Sequence, residues 1–184
     1  MAAGIEARRE GATVALVEHG VLGGTCVNVG CVPSKTLLAA AGLRAAASSN
    51  QFEGVPTSAG NVDLAALTRQ KSALTGWLRE NKYADVADAW GIPLLTGAAR
   101  FQADGALDVD GQRMEARRYI IATGSAPHIE DIDGIDTVDY LTSTTAMELT
   151  EVPRSLIVIG GGYVGLEQAQ LFAQLGAKVT LVGR

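Results

Sequence analysis

The 184-residue sequence holds only two cysteines, Cys26 and Cys31. A disulfide framework of the kind that staples small secreted domains needs more, so if these two matter they matter as a site. Basic residues are in the minority: 15 Lys and Arg stand against 20 Asp and Glu, a formal net charge of −5. That leaves no electrostatic footprint for nucleic acid or for an anionic membrane. No uninterrupted apolar run reaches the ~18 residues of a membrane helix. Residues 1–10 carry no apolar stretch of the secretory type. These absences predict a soluble, cytoplasmic protein with no nucleic-acid or membrane partner. Histidine is scarce too. His19 follows Glu18 at an expected strand end and His128 follows Pro127 in a loop, so both read as solvated side chains rather than general bases.

What is present suffices for a packed core. Hydrophobic residues make up 47% and charged residues 19%, too apolar for a disordered tail. Apolar runs at 13–17 (TVALV), 119–122 (YIIA), 155–159 (SLIVI) and 178–182 (KVTLV) read as strands of a parallel sheet covered on both faces. Residues 33–48 are rich in Ala and Leu and start with proline, which suits a first helical turn. Asp63 can cap a long helix running to about Trp90, with Leu64, Leu67, Leu74 and Leu78 on one stripe and Gly91 as the stop. The stretch 50–62 is a loop, and 101–118 reads as a small antiparallel meander around Ala-Asp-Gly and Asp-Gly-Gln. Alternating helices and strands predict an α/β, Rossmann-like fold.

The chain repeats itself. GATVALVE at 11–18 aligns with GAKVTLVG at 176–183, an offset of 165, and each follows a helix-like stretch. In the second copy the helix is preceded by Gly160-x-Gly162-x-x-Gly165; the matching glycines of the first copy would fall before Met1. The expectation is a piece of a protein with two dinucleotide-binding units. Residues 1–147 would be an FAD-type unit lacking its first strand and glycine loop, and 148–184 the start of an NADPH-type unit.

The glycine triplet lies between a strand and a helix, the context a dinucleotide fingerprint needs. Its first Gly makes the turn, its second lets backbone approach a pyrophosphate, and its third lets helix pack on strand. A glycine turn that merely permits close packing is the plainer alternative. At the end of the following strand a carboxylate would bind a ribose 2′-hydroxyl and repel a 2′-phosphate. The first copy has Glu18 there, which suits FAD. The second has Gly183 followed by Arg184, which suits NADPH. The segment 23–35, GGTCVNVGCVPSK, sets two cysteines five apart between a glycine turn and a helix start. Helix-start N–H groups and Lys35 are expected to lower a thiol pKa and stabilise thiolate. Such a pair can cycle between disulfide and dithiol. Read alone, the spacing is equally compatible with two buried cysteines acting as small hydrophobes.

The whole 23–35 segment resembles the redox-active disulfide of the flavoprotein disulfide reductases, the family of glutathione reductase, dihydrolipoamide dehydrogenase and mercuric reductase. The resemblance extends to 97–101 (GAARF), 122–127 (ATGSAP) and 160–167 (GGGYVGLE). It implies FAD contacts at Glu18, Gly20, Gly24, Thr25, Lys35, Ala99, Ala122, Thr123 and Gly124. It implies that Cys31 faces the flavin, that Cys26 exchanges with substrate, and that Lys35 pairs with Glu167 as a buried lysine needing an anion. NADPH would be held by Gly160, Gly162, Gly165 and Arg184, with Tyr163 covering the flavin until nicotinamide displaces it. Within the family, Ser34-Lys35, the NADPH preference and Lys82-Tyr83 resemble the mercuric reductase branch, in which Tyr83 would line the metal site. Hg(II) would then bind transiently to the thiolates of Cys26 and Cys31, soft ligands for a soft cation. The branch also implies a homodimer. A dihydrolipoamide or other disulfide reductase is the alternative within the family, and a non-catalytic dinucleotide-binding module the alternative outside it.

Overall fold

The computed structural model describes residues 1–183. In chain order the elements are α1 (Ala2–Arg9), β1 (Leu16–Glu18), α2 (Gly24–Asn28), α3 (Cys31–Ser48), α4 (Leu64–Arg79), α5 (Asp85–Ala89), β2 (Leu94–Thr96), β3 (Ala99–Phe101), β4 (Leu107–Val109), β5 (Gln112–Met114), α6 (Ser143–Ala146), β6 (Ser155–Ile159), α7 (Tyr163–Leu175) and β7 (Lys178–Val182). A π-helical turn, Glu80–Ala84, joins α4 to α5 without a break. The chain falls into two compact units: Met1–Gly24 with Gly76–Gly124, and Thr25–Thr75 with Ser125–Arg184.

In the first unit β1 and β2 pair in parallel, with Leu16 opposite Leu94 and Glu18 opposite Thr96. The expected strand at 13–17 is therefore shorter and shifted toward its C-terminal end. Arg8 ties α1 down by donating to the carbonyls of Trp90 (3.0 Å) and Ala12 (3.2 Å). Gly91, at φ +60°, ends α5 where the sequence marked the stop. Strands β3, β4 and β5 form the expected antiparallel meander. Asp110 and Gly111, both at positive φ, make the two-residue turn whose twist matches the flanking strands. The strand expected at 119–122 does not form. Ile120 and Ile121 lie exposed, and no described strand offers them a backbone ladder.

The second unit carries the larger core: Leu37 and Ala41 of α3, Leu64 of α4, Ala146 and Met147, and Leu171, Phe172 and Leu175 of α7. On α7 the buried positions 168, 171, 172 and 175 follow helical spacing, which is why this helix lies flat on α3. Burying a side chain such as Phe172 contributes about 1.5–3 kcal/mol. Gly176, at φ +107°, closes α7, with Gly176 N–H donating to Ala173 and Ala177 N–H to Phe172. Strands β6 and β7 pair in parallel over the whole expected spans, Ser155 opposite Lys178 and Ile159 opposite Val182. Leu156 and Val179 pack on the core. Their neighbours Ile157 and Ile159 are 67% and 57% exposed, so this sheet is covered on one face only, not on both as expected.

Two further expectations need correction. Asp63 does cap α4, its Oδ1 accepting from the Ala66 N–H at 2.8 Å. The buried stripe, however, is Leu64, Thr68, Lys71 and Thr75, and Leu74 is exposed. The stripe tolerates polar groups because it faces carbonyls. Thr68 donates to the Leu149 carbonyl at 2.9 Å, and the Lys71 ammonium donates to the Met147 carbonyl at 3.1 Å and pairs with Glu148. The stretch Gly24–Ser48 is, by length and apolar content, one helical segment that could cross a membrane. A bend at Val29 and Gly30 divides it, and α3 instead buries Leu37 and Ala41 in the unit's core.

Candidate active site

The cysteines sit on either side of that bend. Cys26 lies within α2 and Cys31 is the first residue of α3. Both are exposed free thiols, which removes the reading of two buried hydrophobes. The Cys26 thiol is pushed above its ordinary range, first by a hydrogen bond with the Cys31 side chain, then by partial burial and by the Cys31 charge. The N–H groups of Cys31 and Val32, at the start of α3, pull it back down without prevailing. The expected lowering by helix start and lysine is thus overturned for Cys26. Its nearest influence is a second sulfur, and Lys35 is not among the groups acting on it.

Lys35 is engaged elsewhere. Its ammonium pairs with the carboxylate of Glu167 on α7, 132 residues away in sequence. The Lys35 side chain is 63% exposed, not buried as the resemblance implied. Burial pushes the Glu167 carboxyl up, yet hydrogen bonds from Lys35 and Ser34 and the Lys35 charge outweigh it and hold the carboxyl below its usual range. The buried Ser34 hydroxyl also lies 3.3 Å from the Cys31 carbonyl, so the two acceptors share its one proton. It therefore links the cysteine-bearing turn to the ion pair, a role that sequence reasoning missed although Ser34 lies beside Lys35.

The glycine triplet behaves as its spacing requires. Gly160 takes φ +111° and its N–H donates to the Val182 carbonyl at 2.8 Å. A Cβ on Gly165 would stand 2.0 Å from the Gly160 carbonyl oxygen, so only glycine lets α7 rise this close to β6. A Cβ on Gly162 would meet nothing within 4 Å, and α7 starts there with no side-chain cap. Tyr163 stands 85% exposed beside it. Arg184 lies outside the described residues.

In the first unit Glu18 ends β1. Its Oε1 accepts the Gly20 N–H at 2.9 Å, and its carbonyl accepts the Gly97 N–H at 3.0 Å. Ala99 opens β3. Ala122, Thr123 and Gly124 run exposed outside any strand, with Gly124 at φ +77°. Tyr83, half-buried, falls in the π-helical turn. Among the described residues no three His, Cys, Asp or Glu side chains gather as a metal site.

Comparison with known proteins places the chain in a family. A family model described as pyridine nucleotide-disulphide oxidoreductase matches residues 1–184. The chain belongs to that family. Two similar relatives are the mercuric reductase of Streptomyces lividans, 53% identical over 189 residues, and that of Staphylococcus aureus, 48% identical over 182 residues. The alignments cover 100% and 99% of this chain but 40% and 33% of those proteins, so the chain spans little more than a third of their length. Among solved structures, a Cu(II) complex of the HOCl-induced flavoprotein disulfide reductase RclA from Escherichia coli superposes with a TM-score of 0.80 at 30% identity, covering 97% of this chain and 38% of that one. RclA itself, at 31% identity, superposes equally well. Family and neighbours together support FAD as the cofactor of this oxidoreductase fold.

Proposed function

We propose that the chain is part of an FAD- and NADPH-dependent oxidoreductase that reduces Hg(II) to Hg(0) through Cys26 and Cys31. The observation that carries this reading is the pair of exposed, mutually interacting thiols at a helix start. The residues present fit the cofactors. The Glu18 carboxylate stands at a strand end, as ribose binding requires. The open space at Gly162 and the uncapped start of α7 suit a pyrophosphate. Glu18, Gly20, Gly24, Thr25, Lys35, Ala99, Ala122, Thr123 and Gly124 would hold FAD. Gly160, Gly162, Tyr163, Gly165 and Arg184 would hold NADPH, and the boundary between the two binding domains would fall near residue 148. Bound FAD supplies two-electron transfer between nicotinamide and sulfur.

The chain's own part is to hold and move protons and metal. The Cys26 thiol holds its proton more tightly than a free cysteine, first through its hydrogen bond with the Cys31 side chain, then through partial burial and through the repulsion that two neighbouring thiolate charges would feel. Hg(II) arriving at the reduced pair forms two Hg–S bonds and expels two protons, because thiolate is the ligand and a soft dication relieves the repulsion. Overall, NADPH and Hg(II) would give NADP⁺, a proton and Hg(0). Lys35 and Glu167 orient α3 against α7 and keep a cation one turn from Cys31. Tyr83 would line the metal's route. The full-length protein would be a cytoplasmic homodimer, since a reducing pool is where a free cysteine pair persists.

One experiment tests the pair and another the substrate. Mass spectrometry of the reduced chain titrated with Hg(II) is expected to find one Hg per chain, lost in Cys26→Ser and in Cys31→Ser. With full-length protein, NADPH oxidation is expected to depend on Hg(II). The solved neighbours named as disulfide reductases favour a second reading, and oxidation driven by an oxidised dithiol instead of Hg(II) would select it. Absence of two titratable thiols would leave only a dinucleotide-binding module.

A further inference from the structure

Between the cysteines the chain makes a tight turn, and one residue permits it. Only Val29 and Gly30 separate α2 from α3. The Thr25 carbonyl accepts the Val29 N–H at 3.0 Å, and the Gly30 carbonyl accepts the Ser34 N–H at 3.1 Å, opening α3. A Cβ on Gly30 would stand 2.9 Å from the Thr25 carbonyl oxygen and 3.3 Å from the Cys26 Cα. Those neighbours are backbone, not the ends of flexible side chains, so they cannot swing aside. Cys31 follows immediately, and any shift of residue 30 carries its sulfur with it.

We propose that Gly30 is a positioning residue for the cysteine pair: its missing side chain lets α3 begin against the Thr25 carbonyl and thereby sets how readily Cys26 and Cys31 close into a disulfide. The inference rests on the redox-pair reading above. Closure in the test reaction exchanges electrons with glutathione disulfide. Two thiols lose two protons and two electrons to form one S–S bond, while glutathione disulfide takes up both and becomes two thiols. Displacing one sulfur leaves this stoichiometry intact but lowers the effective concentration of one cysteine at the other.

The experiment equilibrates the chain in buffers of reduced and oxidised glutathione, alkylates the remaining thiols, and reads the intramolecular disulfide by mass. It compares wild type, Gly30→Ala, and Gly42→Ala as a control, since a Cβ on Gly42 of α3 meets nothing within 4 Å. Gly30→Ala is expected to lower the equilibrium constant for closure at least tenfold, with Gly42→Ala within threefold of wild type. Thermal melts of the reduced proteins accompany it, and Gly30→Ala is expected to stay folded. An unchanged constant for Gly30→Ala overturns the proposal, as does its unfolding when reduced, because glycine would then serve the fold and not the pair. If wild type itself forms no intramolecular disulfide at any ratio, the redox-pair reading fails first, and that outcome is distinct from equal closure in both.

Discussion

Two influences contend at Cys26, and the weaker is the one helix geometry would suggest. N–H groups at the start of α3 favour its thiolate, while the neighbouring Cys31 thiol favours its protonated form and prevails. Removing that neighbour is therefore expected to lower the pH at which Cys26 becomes reactive. In Cys31→Ala the midpoint of the alkylation rate against pH moves down from the wild-type value, as iodoacetamide kinetics would read. Glu167 shows the opposite displacement. Its folded pKa lies below the ordinary 4.5, so the stability it lends is complete above that value and fades as pH falls through the folded one. Glu167→Gln should flatten the acid limb of stability against pH, measured as denaturant midpoints between about pH 3 and pH 6. Lys71, 2% exposed, is a third case. Lys71→Met keeps most of the volume but strips the Met147 carbonyl of its donor, and the expected cost is about 1–3 kcal/mol in a denaturant titration. The position of Lys71 is that of a core residue, on the leucine stripe and seven residues from both Leu64 and Leu78, but its charge argues the other way, and only the approach of residues 147–149 makes its burial tolerable.

At the level of helices and strands, β6 and β7 were legible to the residue because each is a continuous apolar run ended by glycine. The cap at Asp63, the stop at Gly91 and the Asp110–Gly111 turn were equally legible, since each depends on one residue's own conformational preference. The segment at 119–122 was not. Its composition is that of a strand, but a strand exists only where a neighbour completes its hydrogen bonds. The leucine stripe of α4 held only at its start, where Leu64 is buried and Leu67 packs on the core, while Leu74 is exposed: periodicity locates a face to within a fraction of a turn, and the packing partner decides which side of it is buried. Gly165 illustrates a local rule with a tertiary consequence. Gly165→Ala would drive a methyl into the Gly160 carbonyl and lift α7 from β6, costing about 2 kcal/mol or more. A thermal melt followed by circular dichroism would register it, and an unchanged midpoint would show that the turn can relax.

Across the molecule, the exposed side of the β6–β7 sheet is the feature with a bulk consequence. Ile157 and Ile159, opposite Thr180 and Val182, form an apolar strip open to solvent. Ile157→Thr with Ile159→Thr is expected to reduce self-association of this chain, seen by static light scattering, with a melting temperature lowered by no more than a few degrees, since neither side chain joins the core. The candidate site was legible in the order of residues, because the cysteine spacing, the glycine triplet and Glu18 are properties of contiguous segments. Contacts between distant segments were not readable in the same way. The Lys35–Glu167 pair spans 132 residues and came from family resemblance alone. The protonation of Cys26, the exposure of Lys35 and the burial of Lys71 follow from which groups folding brings within a few ångströms of one another. Those distances arise from packing α3, α4 and α7 around one core, and no single segment encodes them.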